Sequence, residues 1–202
     1  MTRIKFCGLK TLDDINAANE LAPDYVGFVF APKSKRYVTP AQAQTLRNAL
    51  SRTIQAVGVF VDENPAQVAE LLNTGIIDAA QLHGDESDDY IKNLRGLTDK
   101  TIIKAIQVKT ANDLITAQKS LADFILLDAG AGDGKTFDWS LAKTLRREYF
   151  LAGGLTVDNV SAAIEMLKPF AVDVSSGIET DGRKDFNKMA TFAKIVRRKN
   201  VR

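Results

Sequence analysis

A closed (β/α)8 barrel, the TIM-barrel architecture, is the fold class this sequence predicts, and three observations predict it. Short apolar, β-branched runs alternate with longer amphipathic runs along the chain, the pattern of a parallel sheet wrapped by helices. The short runs number eight, at residues 3–7, 24–30, 55–61, 78–82, 101–107, 122–128, 148–152 and 170–174, one every ~24 residues. No G-x-G-x-x-G turn follows the first of them, which counts against an open, doubly wound sheet. Right-handed crossovers wind eight such units one way until the sheet closes. The 202 residues lie at the small end for this fold and suit one domain spanning 1–202.

The runs between strands carry helix-start chemistry. Thr11 with Asp14, and Thr110 with Asp113, form capping-box pairs in which Asp replaces the usual Glu. Thr39-Pro40 and Asn64-Pro65 each set a capping side chain before a first-turn proline. Pro169 stops the seventh helix just before the eighth strand. Arg197, Arg198 and Lys199 fall near the end of the last helix, where cations suit the helix dipole and solvent receives them.

Composition narrows the function classes. Apolar residues make up 45% of the chain, enough for a core of a globular protein. A net charge of +2 is too mild to argue for nucleic acid or a membrane surface. No apolar run approaches 18 residues and the first strand follows Met1 and Thr2 directly, so neither a membrane span nor a signal peptide is expected. A single cysteine and a single histidine rule out an intrachain disulfide framework and a Cys- or His-rich metal site. A free thiol suits a reducing compartment, so a cytoplasmic location is expected.

In a barrel of this kind the chemistry lies at the C-terminal ends of the strands. Cys7 ends the first strand, and a basic loop, Lys33-Ser34-Lys35-Arg36-Tyr37, follows the second. Asp62 ends the third and reads as a turn acid. His83, the one imidazole, ends the fourth and reads as a substrate contact or a hydrogen-bonded turn residue. Asp128 ends the sixth after Phe124-Ile125-Leu126-Leu127; a carboxyl there is paired, capping or functional. Gly153-Gly154 and Ser175-Ser176-Gly177 follow the seventh and eighth strands, where barrels often hold a phosphate on backbone N–H groups. Gly134-Lys135-Thr136 matches the end of a P-loop, but Ala129 stands where its first glycine belongs, so the loop from 129 to 136 reads as a flap over a ligand. Lys5 shares strand parity with Cys7 and points inward, with Asp173 as its expected partner.

Taken in order, Ile4-Lys5-Phe6-Cys7-Gly8-Leu9, Val26-Gly27-Phe28-Val29-Phe30, Ser34-Lys35-Arg36, Gln81-Leu82-His83-Gly84, Leu127-Asp128, Gly134-Lys135-Thr136-Phe137-Asp138-Trp139, Leu151-Ala152-Gly153-Gly154-Leu155 and Asp173-Val174-Ser175-Ser176-Gly177-Ile178-Glu179 resemble the phosphoribosylanthranilate isomerase family of tryptophan biosynthesis. The resemblance runs from about residue 4 to residue 196. Phe6 stands where a smaller aliphatic is expected, and Lys10 where Thr or Arg is. The resemblance implies an Amadori rearrangement of N-(5-phosphoribosyl)anthranilate to 1-(2-carboxyphenylamino)-1-deoxyribulose 5-phosphate. It implies Cys7 as general base, Asp128 as general acid, Arg36 on the anthranilate carboxylate, and the backbone of Gly153, Gly154, Ser176 and Gly177 on the phosphate. It implies no cofactor or metal, and no partner beyond the phosphoribosyl substrate. A monomer is the default, with a homodimer as the alternative. The related histidine-pathway isomerase uses two carboxylates and a substrate with two phosphates, which Cys7 and the one good cradle oppose. A non-catalytic phosphosugar-binding barrel could dispense with both thiol and acid.

Overall fold

The computed structural model describes residues 1–128 and 139–199. Eight parallel strands close into a barrel, each paired with its sequence neighbours and β1 with β8. The strands are β1 (Arg3–Cys7), β2 (Tyr25–Val29), β3 (Gln55–Phe60), β4 (Ala79–Leu82), β5 (Thr101–Gln107), β6 (Phe124–Asp128), β7 (Tyr149–Leu151) and β8 (Ala171–Val174). The helices are α1 (Leu12–Leu21), α2 (Pro40–Ala49), α3 (Pro65–Asn73), α4 (Asp88–Arg95), α5 (Ala111–Lys119), α6 (Trp139–Ala142), α7 (Val160–Leu167) and α8 (Phe186–Lys199).

The expected caps are present. Thr11 and Asp14 complete a capping box, and Thr39 forms one with Gln42. Asn64 Oδ1 accepts from the Ala66 N–H, and Asp113 takes the Thr110 N–H at 2.7 Å. Helix α7 ends at Leu167, two residues before Pro169, and Lys168 caps it in a left-handed turn with φ 47°. The basic tail is only partly a solvated end: the Arg197 guanidinium donates to the Leu21 and Ala22 carbonyls and so caps α1. Phe6 faces outward, wholly buried, and meets Phe192 of α8 edge-on at 6.5 Å. Lys10 precedes the α1 cap and gives its N–H to Asp14.

Three of the expected strands begin at or just before an aspartate, and each observed strand begins one residue after it. The reason is the same each time. Asp24 takes the Ile4 N–H, Asp78 the Ala56 N–H and Asp123 the Ile102 N–H, all at 2.8 Å. Each aspartate spends its side chain on the neighbouring odd-numbered strand, satisfying a donor that the ladder leaves open.

Side chains pointing out of the barrel form the main core against the helices, and a second cluster fills the barrel's interior around Tyr25, Val57, Leu126 and Phe150. Above that cluster the interior turns polar. Lys5 is fully buried; its ammonium donates to Asp173 Oδ1 at 3.0 Å and to Gln81 Oε1 at 2.9 Å. Strand register sets Lys5 opposite Asp173 across the β1–β8 seam, as parity predicts. Burial pushes the Lys5 ammonium down, but the charges of Asp173 and Cys7 outweigh it and the net direction is up. Removing one partner of such a pair leaves a buried charge unmatched, at about 3–5 kcal/mol. Lys5→Met is therefore expected to lower unfolding stability by about that amount. Urea unfolding of both proteins checks it, and a loss under about 1 kcal/mol would contradict it.

Candidate active site

The strand ends converge on a cavity of about 350 Å³ above the polar layer. Cys7, Arg36, His83, Asp128, Gly153, Gly154 and Ser176 all line it, from loops or strand ends far apart in sequence. Gly177 does not line the cavity; it packs beneath, where a Cβ would come within 1.9 Å of the Leu155 carbonyl oxygen. Its part is to let the loops after β7 and β8 touch. The N–H groups of Gly153 and Gly154, both at positive φ, make no backbone hydrogen bond among the described residues. Both glycines line the cavity, where backbone N–H groups suit an anion. A larger hollow of about 790 Å³ opens at the opposite end of the barrel, beside Met1, Arg147, Pro169 and Lys199. Of its cations Arg147 is engaged by carbonyls and Lys199 by Glu165, and none of the strand-end residues Cys7, His83 and Asp128 lines it, so the smaller cavity is the candidate site.

The Cys7 side chain fits because Gly27 opposite has none: a Cβ there would lie 2.7 Å from Sγ. Burial pushes the Cys7 thiol up; the Lys5 ammonium opposes this, Asp173 adds to it, and Lys184 opposes it. The thiol form prevails at rest. Asp128 stands at the mouth of the cavity, 3.1 Å from His83 Nε2, and His83 Nδ1 lies 2.7 Å from Gln81 Nε2. Asp62 proves to be the turn acid expected: at φ 51° it accepts the Asp85 N–H at 2.7 Å. The loop from 129 to 136, read above as a flap, lies outside the described residues.

Two residues that sequence reasoning missed lie on a hairpin after a short 3-10 turn, Ser176–Ile178. Strands β9 (Glu179–Thr180) and β10 (Arg183–Lys184) pair with Glu179 opposite Lys184. The signal was available: Asp181-Gly182, at φ 51° and 75°, is a two-residue hairpin turn. Glu179 receives the guanidinium of Arg36 as a fork, Nε at 2.7 Å and Nη2 at 2.8 Å, and Lys184 Nζ at 2.8 Å. Lys184 also donates to the Ser175 carbonyl, and Ser175 Oγ donates to the Cys7 carbonyl. Arg36 is raised, first by its bonds to Glu179. Burial pushes Lys184 down against the Glu179 carboxylate. Burial would lift Glu179, but the bonds from Arg36 and Lys184 override it and hold its carboxyl down to about 2.

Because the folded carboxyl lies below its ordinary 4.5, the clamp stabilises the fold above that value and loses its contribution as pH falls toward about 2. Following the Glu179 carboxyl carbon by NMR while lowering the pH should give a midpoint well below 4. A midpoint at the ordinary value would mean that Arg36 and Lys184 do not hold it in solution.

The family model for N-(5'-phosphoribosyl)anthranilate (PRA) isomerase matches residues 4–195. An N-(5'-phosphoribosyl)anthranilate isomerase from Endomicrobium trichonymphae is 44% identical, over 98% of this chain and 99% of that one. A crystal structure of phosphoribosyl anthranilate isomerase in complex with reduced 1-(o-carboxyphenylamino)-1-deoxyribulose 5-phosphate superposes with a TM-score of 0.86, at 37% identity over 98% of this chain and 99% of that one. Engineered-monomer crystals of the dimeric phosphoribosylanthranilate isomerase from Thermotoga maritima give 0.87 at 38% identity, with the same coverage.

Proposed function

The chain belongs to the N-(5'-phosphoribosyl)anthranilate isomerase family, and we propose that Cys7 and Asp128 are the base and acid of its reaction. It is a phosphoribosylanthranilate isomerase of tryptophan biosynthesis, and its rearrangement needs two proton transfers. The furanose ring opens when its ring oxygen receives a proton, and Asp128 at the cavity mouth supplies it. Opening leaves a Schiff base between the ring-opened sugar and the anthranilate nitrogen. That iminium acidifies the C2′ proton. The Cys7 thiolate takes the proton, and the enolamine becomes the ketone as C1′ gains a proton and the C2′ hydroxyl gives one up. The substrate nitrogen is the electron sink throughout. Burial raises the Cys7 thiol, so before it can act as base it gives its own proton to solvent, a loss the positive iminium favours once the ring is open.

The observation that carries this reading is the meeting of thiol, carboxyl and glycine cradle in one 350 Å³ cavity. The phosphate is assigned to the N–H groups of Gly153, Gly154 and Ser176, with Gly177 holding the two loops together. Arg36 is assigned to the anthranilate carboxylate. Because Glu179 already occupies Nε and one face of the fork, the guanidinium meets that carboxylate with its Nη1 edge. A free thiol at the centre suits the reducing cytosol.

The test is turnover by loss of phosphoribosylanthranilate fluorescence, the substrate being generated in place. Cys7→Ala and Asp128→Asn should each lose at least ~10³-fold in kcat while still binding the reduced product analogue. Full activity of either variant would remove that residue from its role. Gly177→Ala should instead weaken binding of the phosphorylated analogue by ~10-fold or more, because the added methyl must part the two loops. Unchanged affinity on calorimetric titration would show that the cradle does not depend on that contact.

A further inference from the structure

We propose that Gln81 is a positioning residue for this reaction: held by Lys5, it fixes His83 in the Nε2–H tautomer, so that His83 donates to Asp128 and keeps that carboxyl's Oδ2 an acceptor. The inference rests on the reading of Asp128 as the acid.

Three hydrogen bonds in series carry it. The Lys5 ammonium has donors only. It is fully buried and lies 2.9 Å from Gln81 Oε1, so the atom facing it must be the amide oxygen. That fixes the amide's orientation, which the fold would otherwise leave open. Gln81 is itself 1% exposed and cannot trade its partners for water. Its NH2 group therefore faces His83 Nδ1, 2.7 Å away. An amide NH2 cannot accept, so Nδ1 must be the acceptor and the ring proton sits on Nε2. Nε2 lies 3.1 Å from Asp128 Oδ2, and its N–H donates there. Oδ2 then cannot carry a proton toward His83. Gln81 lines the cavity, and the role proposed for it is exerted through His83. A wrong histidine tautomer beside a catalytic carboxylate is costly, about 10⁴-fold in kcat in the serine-protease triad.

The chain contains one histidine, so a 15N-histidine sample gives one pair of ring signals without assignment. In the wild type, Nδ1 should appear unprotonated and Nε2 protonated. Gln81→Glu keeps the size and the Lys5 contact but offers Nδ1 an acceptor. It should move the ring proton to Nδ1 and lower kcat ~10²-fold while KM changes less than about threefold. Gln81→Met, which removes the donor without adding charge, should give mixed tautomers and an intermediate loss of kcat. A wild-type spectrum with Nδ1 protonated would overturn the proposal, whether or not either variant folds. So would a Gln81→Glu enzyme whose tautomer has switched but whose kcat stays within about twofold of wild type. If the wild-type tautomer is Nε2–H but Asp128→Asn retains full activity, the acid assignment has failed and the catalytic half of this proposal fails with it, while the hydrogen-bond geometry stands.

Discussion

The ammonium of Lys5 is the constraint on which this barrel depends. Placing a fully buried cation inside a sheet of apolar strands is unfavourable unless its donors are met. Two distant segments meet them, Asp173 on β8 and Gln81 on β4. The first contact lies on the seam where β1 closes on β8; the second crosses the lumen. The same charge thus ties closure of the sheet to the polar floor beneath the cavity. The apolar interior around Phe150 lies below this layer and the chemistry lies above it.

Above the floor, the site is arranged as two charge circuits. One runs from Arg36 through Glu179 and Lys184 to Ser175 and the Cys7 carbonyl. The other runs from Asp173 through Lys5, Gln81 and His83 to Asp128. The first anchors the Arg36 guanidinium, and the second ends on the Asp128 carboxylate. Neither leaves the thiol beside an unbalanced cation, because Glu179 answers Lys184 and Asp173 answers Lys5. Burial is the largest influence on the Cys7 thiol and pushes it up.

Much of the fold was legible because it is written locally. Apolar alternation, capping pairs and prolines each act within a few residues, and all eight barrel strands appear close to where periodicity sets them. Strand starts at Asp24, Asp78 and Ala122 were set early because an aspartate's bond to a neighbouring strand has no trace in its own segment. The thiol, the acid and the glycines were legible as strand-end residues in a barrel. Their supports were not. Gln81 is a neutral amide inside an apolar strand, with nothing local to separate it from a core polar residue. Glu179 meets Arg36 across 143 positions, so only the folded chain brings them together. The hairpin at Asp181-Gly182 was different: its signal was local and strong, and it was overshadowed by the glycines just before it.

The three aspartates at the base of the barrel have a consequence of their own. They recur at every second strand, each binding the strand before it, so the first six strands form three like couples. The seventh and eighth break the rhythm: Phe170 and Pro169 take the place of such a residue, and their carbonyls are met by the Arg3 N–H and the Thr2 hydroxyl. The base is therefore periodic and sealed by one irregular joint where the chain's beginning is stitched to its eighth strand. The rim carries no such rhythm, since each loop there holds a different chemical group. Periodicity at one end and individuality at the other let the loops diverge in chemistry without disturbing the lock that keeps the cylinder shut.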